Sequence, residues 1–236
     1  MIYRTPYPNE LYHHGIKGQK WGVRRYQNSD GTLTAAGKKH YKSGDYANKI
    51  RSKAEKEEPK ITSDVVQSVK KTTASMYGLE NKLKTKQSLK RKIETDSKND
   101  GITLKESASK IKDSIRYTAL SNDRDFTKNY FQIKRNLEDK GYSEVRCKNY
   151  FDLYNKGIVK HKSVQSVFES PNGQIFELQF HTNSSQDAKN KKIPLYEEAR
   201  DPNISPKRLK QLEIEMDVLA SKVPTPKDVY SIKTHG

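Results

Sequence analysis

SVFESPNGQIFELQFHT, residues 166–182, decides how this chain folds. Pro171, Asn172 and Gly173 form a turn signal between two runs of alternating polarity, the signature of a β-hairpin. In the second run Phe176, Leu178 and Phe180 point one way and Glu177, Gln179 and His181 the other, because strand side chains alternate between faces. One face of the sheet therefore joins the core, and its back carries a polar row.

Upstream of the hairpin, Phe126, Tyr130, Ile133 and Leu137 share one face of a helix over 124–140, and Gly141 is placed to cap it. A short strand is expected around Val145 and Cys147. Residues 113–120, DSIRYTAL, alternate Ile115 and Tyr117 against Ser114, Arg116 and Thr118, which predicts a half-buried strand with Asp113 at its entrance. A basic helix is expected over 87–95. Before it, Val65, Val66, Val69 and Met76 recur at helical spacing and Gly78 reads as the stop. Downstream, Ser205 and Pro206 read as N-cap and first turn of a helix carrying Leu209, Leu212, Met216 and Leu219. The expected architecture is α/β (α+β), with helices on one side of a mixed sheet.

A chain of 236 residues holds one ordinary domain plus an appendage. Mean hydropathy of −1.04 is low, so part of the chain contributes little to a core. Residues 1–60 have few aliphatic side chains and no sustained period. They read as a basic, largely extended arm and linker, followed by a folded domain over 61–236. A net charge of +17 attracts polyphosphates, nucleic acid or anionic surfaces without choosing among them. Cys147 is the one cysteine, so no intrachain disulfide forms, and it reads as a packed strand residue. No apolar run reaches the roughly 18 residues needed to cross a bilayer, and the start lacks a secretion signal. The expectation is a protein without membrane insertion, in a virion or in host cytoplasm.

Phosphoryl and nucleotidyl transfer needs carboxylates to hold magnesium against phosphates and cations to neutralise developing charge. Asp113 and Glu177 supply the first if their strands are neighbours. Lys82, Lys84, Lys92 and Arg116 supply the second. The order of these elements resembles the RelA/SpoT synthetase family. KLKTKQSLKRK is similar to the family's opening element, with Lys82 where an arginine is usual and Lys84, Ser88 and Lys92 at the matching spacing. Asp113 falls on its magnesium-binding aspartate, and Glu177-Leu178-Gln179-Phe180-His181-Thr182 looks like its Glu-Ile-Gln-Ile-Arg-Thr strand. The resemblance implies a nucleotidyltransferase-like fold that moves pyrophosphate from ATP to a ribose hydroxyl, with Mg²⁺ on Asp113 and Glu177. It implies that the lysines grip ATP phosphates, with Glu177 assisting the metal or deprotonating the acceptor.

Two departures bear on the acceptor. Arg116 arrives early after Asp113, and Asn155-Lys156-Gly157-Ile158 offers an aliphatic residue where the family has a tyrosine against guanine. An adenine nucleotide or the 3′ end of a tRNA suits such a change. His161 and His181 read either as phosphate or ribose contacts or as plain surface residues. His13, His14 and His40 lack metal-ligand spacing. Residues 13–41 resemble a short motif of proteins encoded among phage head and capsid genes, which implies contact with a capsid or portal. Two further readings stay open: a virion or nucleic-acid-binding protein keeping the fold without turnover, and a metal-independent ribonuclease using His161 and His181 as acid and base.

Overall fold

In the computed structural model, residues 25–28, 30–201 and 203–236 are described. They form a five-stranded mixed sheet flanked by helices. The strands are β1 (Ser75–Tyr77), β2 (Arg116–Ser121), β3 (Ser143–Asn149), β4 (Val164–Glu169) and β5 (Ile175–Thr182), in the spatial order β1-β2-β5-β4-β3. Pairing is antiparallel except between β2 and β5, which run parallel with Arg116 opposite Glu177. The hairpin forms as expected, closed by the Gly173 amide donating to Ser170 at 2.8 Å.

Helices α1 (Ala35–Lys70) and α4 (Phe126–Glu138) cover the apolar face of the sheet. Phe126, Tyr130, Ile133 and Leu137 are all buried, as their spacing demands. Past the end of α4 the amide of Tyr142 returns to the Leu137 carbonyl at 3.1 Å. Gly141, at φ +85°, supplies the left-handed turn that this closure requires. Phe176 sits at the centre, stacked on Phe168 at 5.7 Å and edge-on to Tyr117 and Tyr142, each at 5.8 Å. Cys147 is buried and unpaired, as expected of a strand residue. Helices α2 (Lys86–Asn99) and α3 (Leu104–Ser109) pack with the first half of α1 around Leu89, Ile93 and Ala47.

The chain corrects four expectations. Residues 35–60 are helical rather than extended, so the division at residue 60 falls inside the 36-residue α1. The physical reason is that α1 buries small residues, with Ala47, Ala54 and Ile61 seven apart on one face, a stripe that carries little hydropathy. Met76 lies on β1 rather than on a helix ending at Gly78, because α1 stops at Lys70. The strand expected from Asp113 begins at Arg116. Helices also occupy both faces of the sheet. α5 (Tyr150–Asn155) packs against β4, α6 (Asn183–Ala199) lies on the polar row of β5, and α7 (Pro206–Ser221) packs on α6.

The start of α1 is held by a close approach. Tyr26 stacks on His40 at 4.1 Å, and its carbonyl accepts from Thr34 at 3.1 Å. A Cβ on Gly37 would lie 2.0 Å from that carbonyl oxygen, so only glycine fits.

Candidate active site

The site begins with the main chain of Ile115, just ahead of β2. On one side Leu83 bridges to it, flanked by the Lys84 amide on Ser114 at 3.0 Å and the Arg116 amide on Lys82 at 2.7 Å. On the other side its carbonyl accepts the Glu177 amide at 3.0 Å. One residue thus stitches the lysine segment, Asp113, Arg116 and Glu177 into neighbouring rows.

Asp113 binds both Lys84 and Lys92, the latter at 3.0 Å. Burial pushes its carboxyl upward, but the two ammonium groups outweigh that and the net direction is down. Lys84 moves down as well, because burial outweighs the attraction of Asp113. Both directions have one cause. A single carboxylate shared by two lysines, with Arg116 nearby, leaves a partly desolvated surplus of positive charge. Lys82 turns away to Glu58 at 3.4 Å, and Ser88, half-buried on α2, donates its amide to the Thr85 cap at 3.1 Å. Lys84, Lys92 and Asp113 are therefore brought together, and Lys82 and Ser88 flank them.

Glu177, Gln179 and His181 are buried, at 8%, 5% and 4% exposure. Gln179 donates to Glu177 and accepts from Lys189 of α6 at 2.6 Å. Burial, then Arg116, draws the Lys189 ammonium down to about 8, and Glu177 pulls against them. His181 shares a hydrogen bond between Nδ1 and Ser185 Oγ at 2.9 Å, while its Nε2 is buried with no partner among the described residues. Its pKa falls well below the ordinary value, chiefly through burial. His161 lies against Tyr150 at 4.2 Å, and burial with Lys192 and Lys189 draws it down to about 4. Both imidazoles are neutral near pH 7.

Lys189, Lys192, Arg146 and Tyr150 were not singled out by sequence. Arg146 stands opposite Val167, the neighbour of Glu177, and its Nε is buried without a partner among the described residues. Tyr150 is raised by burial and then by the Glu177 charge, so it too is near that carboxylate. Strand alternation was the available signal for Arg146. Nothing local marked Lys189, whose importance comes from the packing of α6.

The described residues contain no group of three or more His, Cys, Asp and Glu side chains able to hold a metal. Asp113 and Glu177 are instead a two-carboxylate set. That set fits magnesium in its usual nucleotide-bound form, where one or two carboxylates are completed by phosphates and water. His13 and His14 lie outside the described residues. His40 is taken up by Tyr26 and Lys90.

Residues 4–28 match a family of unknown function (DUF7211). The expected capsid-type segment, residues 13–41, lies partly outside the described residues, and this family carries no functional description. No curated protein matches the chain. Among solved structures, the small alarmone synthetase 1 from Bacillus subtilis bound to its product pppGpp is similar at 14% identity and TM-score 0.47. That match covers 73% of this chain and 88% of the other. The small alarmone synthetase 2 from Bacillus subtilis is similar at 16% identity and TM-score 0.47, over 75% and 91%. The complex between the Type VI effector Tas1 and its immunity protein gives 14% identity and TM-score 0.43, over 78% and 95%. No helix among the described residues is long and apolar enough to cross a membrane.

Proposed function

We propose that this chain transfers the terminal pyrophosphate of ATP to a ribose hydroxyl of a nucleotide acceptor, with Mg²⁺ as cofactor. The observation that carries the reading is the double stitching of Ile115, which sets the Lys84–Asp113–Lys92 cluster and Arg116 beside Glu177. The resemblance of these residues to the RelA/SpoT pattern supports the same chemistry.

An arriving triphosphate offers Lys84 and Lys92 new anionic partners and releases the Asp113 oxygens. Asp113 and Glu177 would then hold magnesium, which supplies charge neutralisation on the phosphates. Arg116 extends the cationic wall, with Lys82 and Ser88 at its margin. Glu177 takes the acceptor hydroxyl's proton, the hydroxyl oxygen bonds to the β-phosphorus, and the bond from that phosphorus to the oxygen bridging the α-phosphate breaks. AMP leaves. Gln179, held by Lys189, fixes the Glu177 carboxylate in place.

A reading without turnover rests on one observation, the engagement of both Asp113 oxygens by lysines. The ribonuclease reading needs one imidazole protonated as the acid. Burial of His161 and His181 leaves that role without an occupant near pH 7.

The deciding experiment incubates the protein with magnesium, ATP labelled in its terminal phosphate, and guanine nucleotides, adenine nucleotides or tRNA. Transfer of label to an acceptor is expected, falling roughly 10²-fold or more in Glu177→Gln. Absence of transfer to every acceptor, or an unchanged rate in that variant, overturns the reading.

A further inference from the structure

Lys84 belongs to a short run of main chain, residues 82–85, between a 3₁₀ turn at Leu79–Asn81 and the start of α2. The Leu83–Ile115 bridge ties this run to β2, and the Lys84 amide donates to Ser114. The Lys84 carbonyl has a partner from a different element. Arg51 of α1 donates Nη1 to it at 2.7 Å, across 33 residues of sequence.

The helix explains why an arginine arrives there. α1 passes from the small core to the main one, burying Ala47 in the first and Ala54 in the second. Arg51 comes four residues after one and three before the other, so the helical period sets it on the same face. Its side chain is 20% exposed, and its Nε is held by Glu55 at 2.7 Å. That pairing fixes the plane of the guanidinium and leaves Nη1 for the carbonyl. The same face continues to Glu58, which pairs with Lys82 at 3.4 Å and accepts from the Thr62 hydroxyl. Thr62 in turn shares a hydrogen bond of 2.7 Å with the hydroxyl of Tyr117 on β2. α1 therefore holds residues 82–84 at both ends, by the side chain of Lys82 and by the main chain of Lys84.

The second grip bears on chemistry because Lys84 has to change partners. A lysine carries a compact charge on a flexible four-carbon stem, so where its ammonium lands depends on how firmly its Cα is held. In the proposed reaction that ammonium leaves Asp113 for an incoming phosphate. With the amide bound to Ser114 and the carbonyl to Arg51, the main chain stays in place and the stem alone moves. Precision of this kind is worth a large factor in rate or affinity, since a misplacement of about 1 Å costs up to roughly 10²-fold.

We propose that Arg51 is a positioning residue for the triphosphate site, acting through the main chain of Lys84 and touching no phosphate itself. The inference rests on the pyrophosphate-transfer reading for the ligand, and on the hydrogen bond from Arg51 to Lys84 for the residue.

A double-mutant cycle on the full chain tests it, read by equilibrium binding of ATP with magnesium and by steady-state turnover, with thermal melting confirming that each variant folds. Arg51→Gln should weaken ATP binding about tenfold. Arg51→Lys keeps the charge but not the fork, and should weaken it nearly as much. In a Lys84→Gln background, Arg51→Gln should add less than about twofold, because the residue through which it acts is gone. In turnover the loss should fall on KM for ATP and leave kcat within about twofold, as for a group that holds phosphates alike in substrate and transition state. Equal losses in the two backgrounds make Arg51 a general support of the fold, and full affinity in Arg51→Lys reduces it to a charge. Either result overturns the proposal, as does a loss confined to kcat, a binding change below about twofold in Arg51→Gln, or no ATP binding by the unaltered chain. If Arg51→Gln fails to fold, Arg51→Lys carries the same cycle. Label transfer by the unaltered chain separates the two claims. Transfer with additive losses removes the Arg51 assignment alone, and a non-additive cycle in ATP binding without transfer keeps Arg51 and removes the pyrophosphate reading.

Discussion

The two faces of β5 are equally buried and chemically opposite. Phe176, Leu178 and Phe180 meet the aromatic and aliphatic side chains of α1, α4 and the neighbouring strands, while Glu177, Gln179 and His181 lie under α6 at 8% exposure or less. Burial on the first face is stabilising by itself. On the second it is costly unless each polar atom is paired, and the pairing is incomplete, since His181 Nε2 and, on neighbouring β3, Arg146 Nε have no partner among the described residues. Desolvated groups that are incompletely paired cluster at functional sites, which is why the proposed chemistry is assigned to this face of the strand.

Substitutions on the two faces should therefore fail differently. Phe176→Ala removes the ring that Phe168, Tyr117 and Tyr142 surround, and should cost about 3–5 kcal/mol in chemical denaturation. A loss below about 1 kcal/mol would show that this face is not organised around it. Glu177→Gln should do the reverse, lowering label transfer about 10²-fold, or about 2.7 kcal/mol of barrier, while the unfolding midpoint hardly moves.

Acid provides the third contrast. The His161 imidazole titrates near 4 in the folded chain against an ordinary value of 6.5, with Lys192 and Lys189 facing it. Between those pH values the unfolded chain holds the extra proton, so stability falls as pH drops from 6.5 towards 4, by on the order of a few kcal/mol at most. His161→Gln should flatten the melting temperature over that window, and a slope unchanged by the substitution would remove His161 as its source. The smallest effect belongs to neither face. Gly37→Ala forces the Tyr26 carbonyl away and should cost about 1 kcal/mol, with earlier proteolysis near residues 25–34. Label transfer should be unaltered, and a parallel fall in transfer would tie this contact to the site.

Much of this arrangement is legible in the sequence because it is local. The hairpin, the α4 stripe, the basic helix and the Ser205 cap each declare themselves within a short window, and alternation alone splits Glu177 from Phe176. What escapes is set by distant packing or by weak composition. In α1 the buried stripe is built from Gly37, Ser43, Ala47 and Ala54, residues too small to register as apolar periodicity. α6 opens on Asn183-Ser184-Ser185 and holds Pro194 inside, residues of low helix propensity. A reciprocal Thr182–Ser185 cap and contact with β5 make it a helix nonetheless. With α6 unread, Lys189 and Lys192 had no position. Asp113 was placed, but its two lysine partners lie 29 and 21 residues upstream in one basic segment, and the pairing of Leu83 with Ile115 brings that segment in.

The strand order also carries a timetable. β5 is the last strand in sequence, yet it lies in the middle of the sheet, between β2 and β4. As the chain emerges from its N-terminus, Lys84, Asp113 and Arg116 exist long before the residue that completes them, and β2 and β4 have nothing to hold them in one sheet. When β5 enters the gap it closes the core with Phe176 and delivers Glu177 to Arg116 in the same movement. A chain that lacks β5 therefore has neither a continuous sheet nor Glu177 beside Arg116.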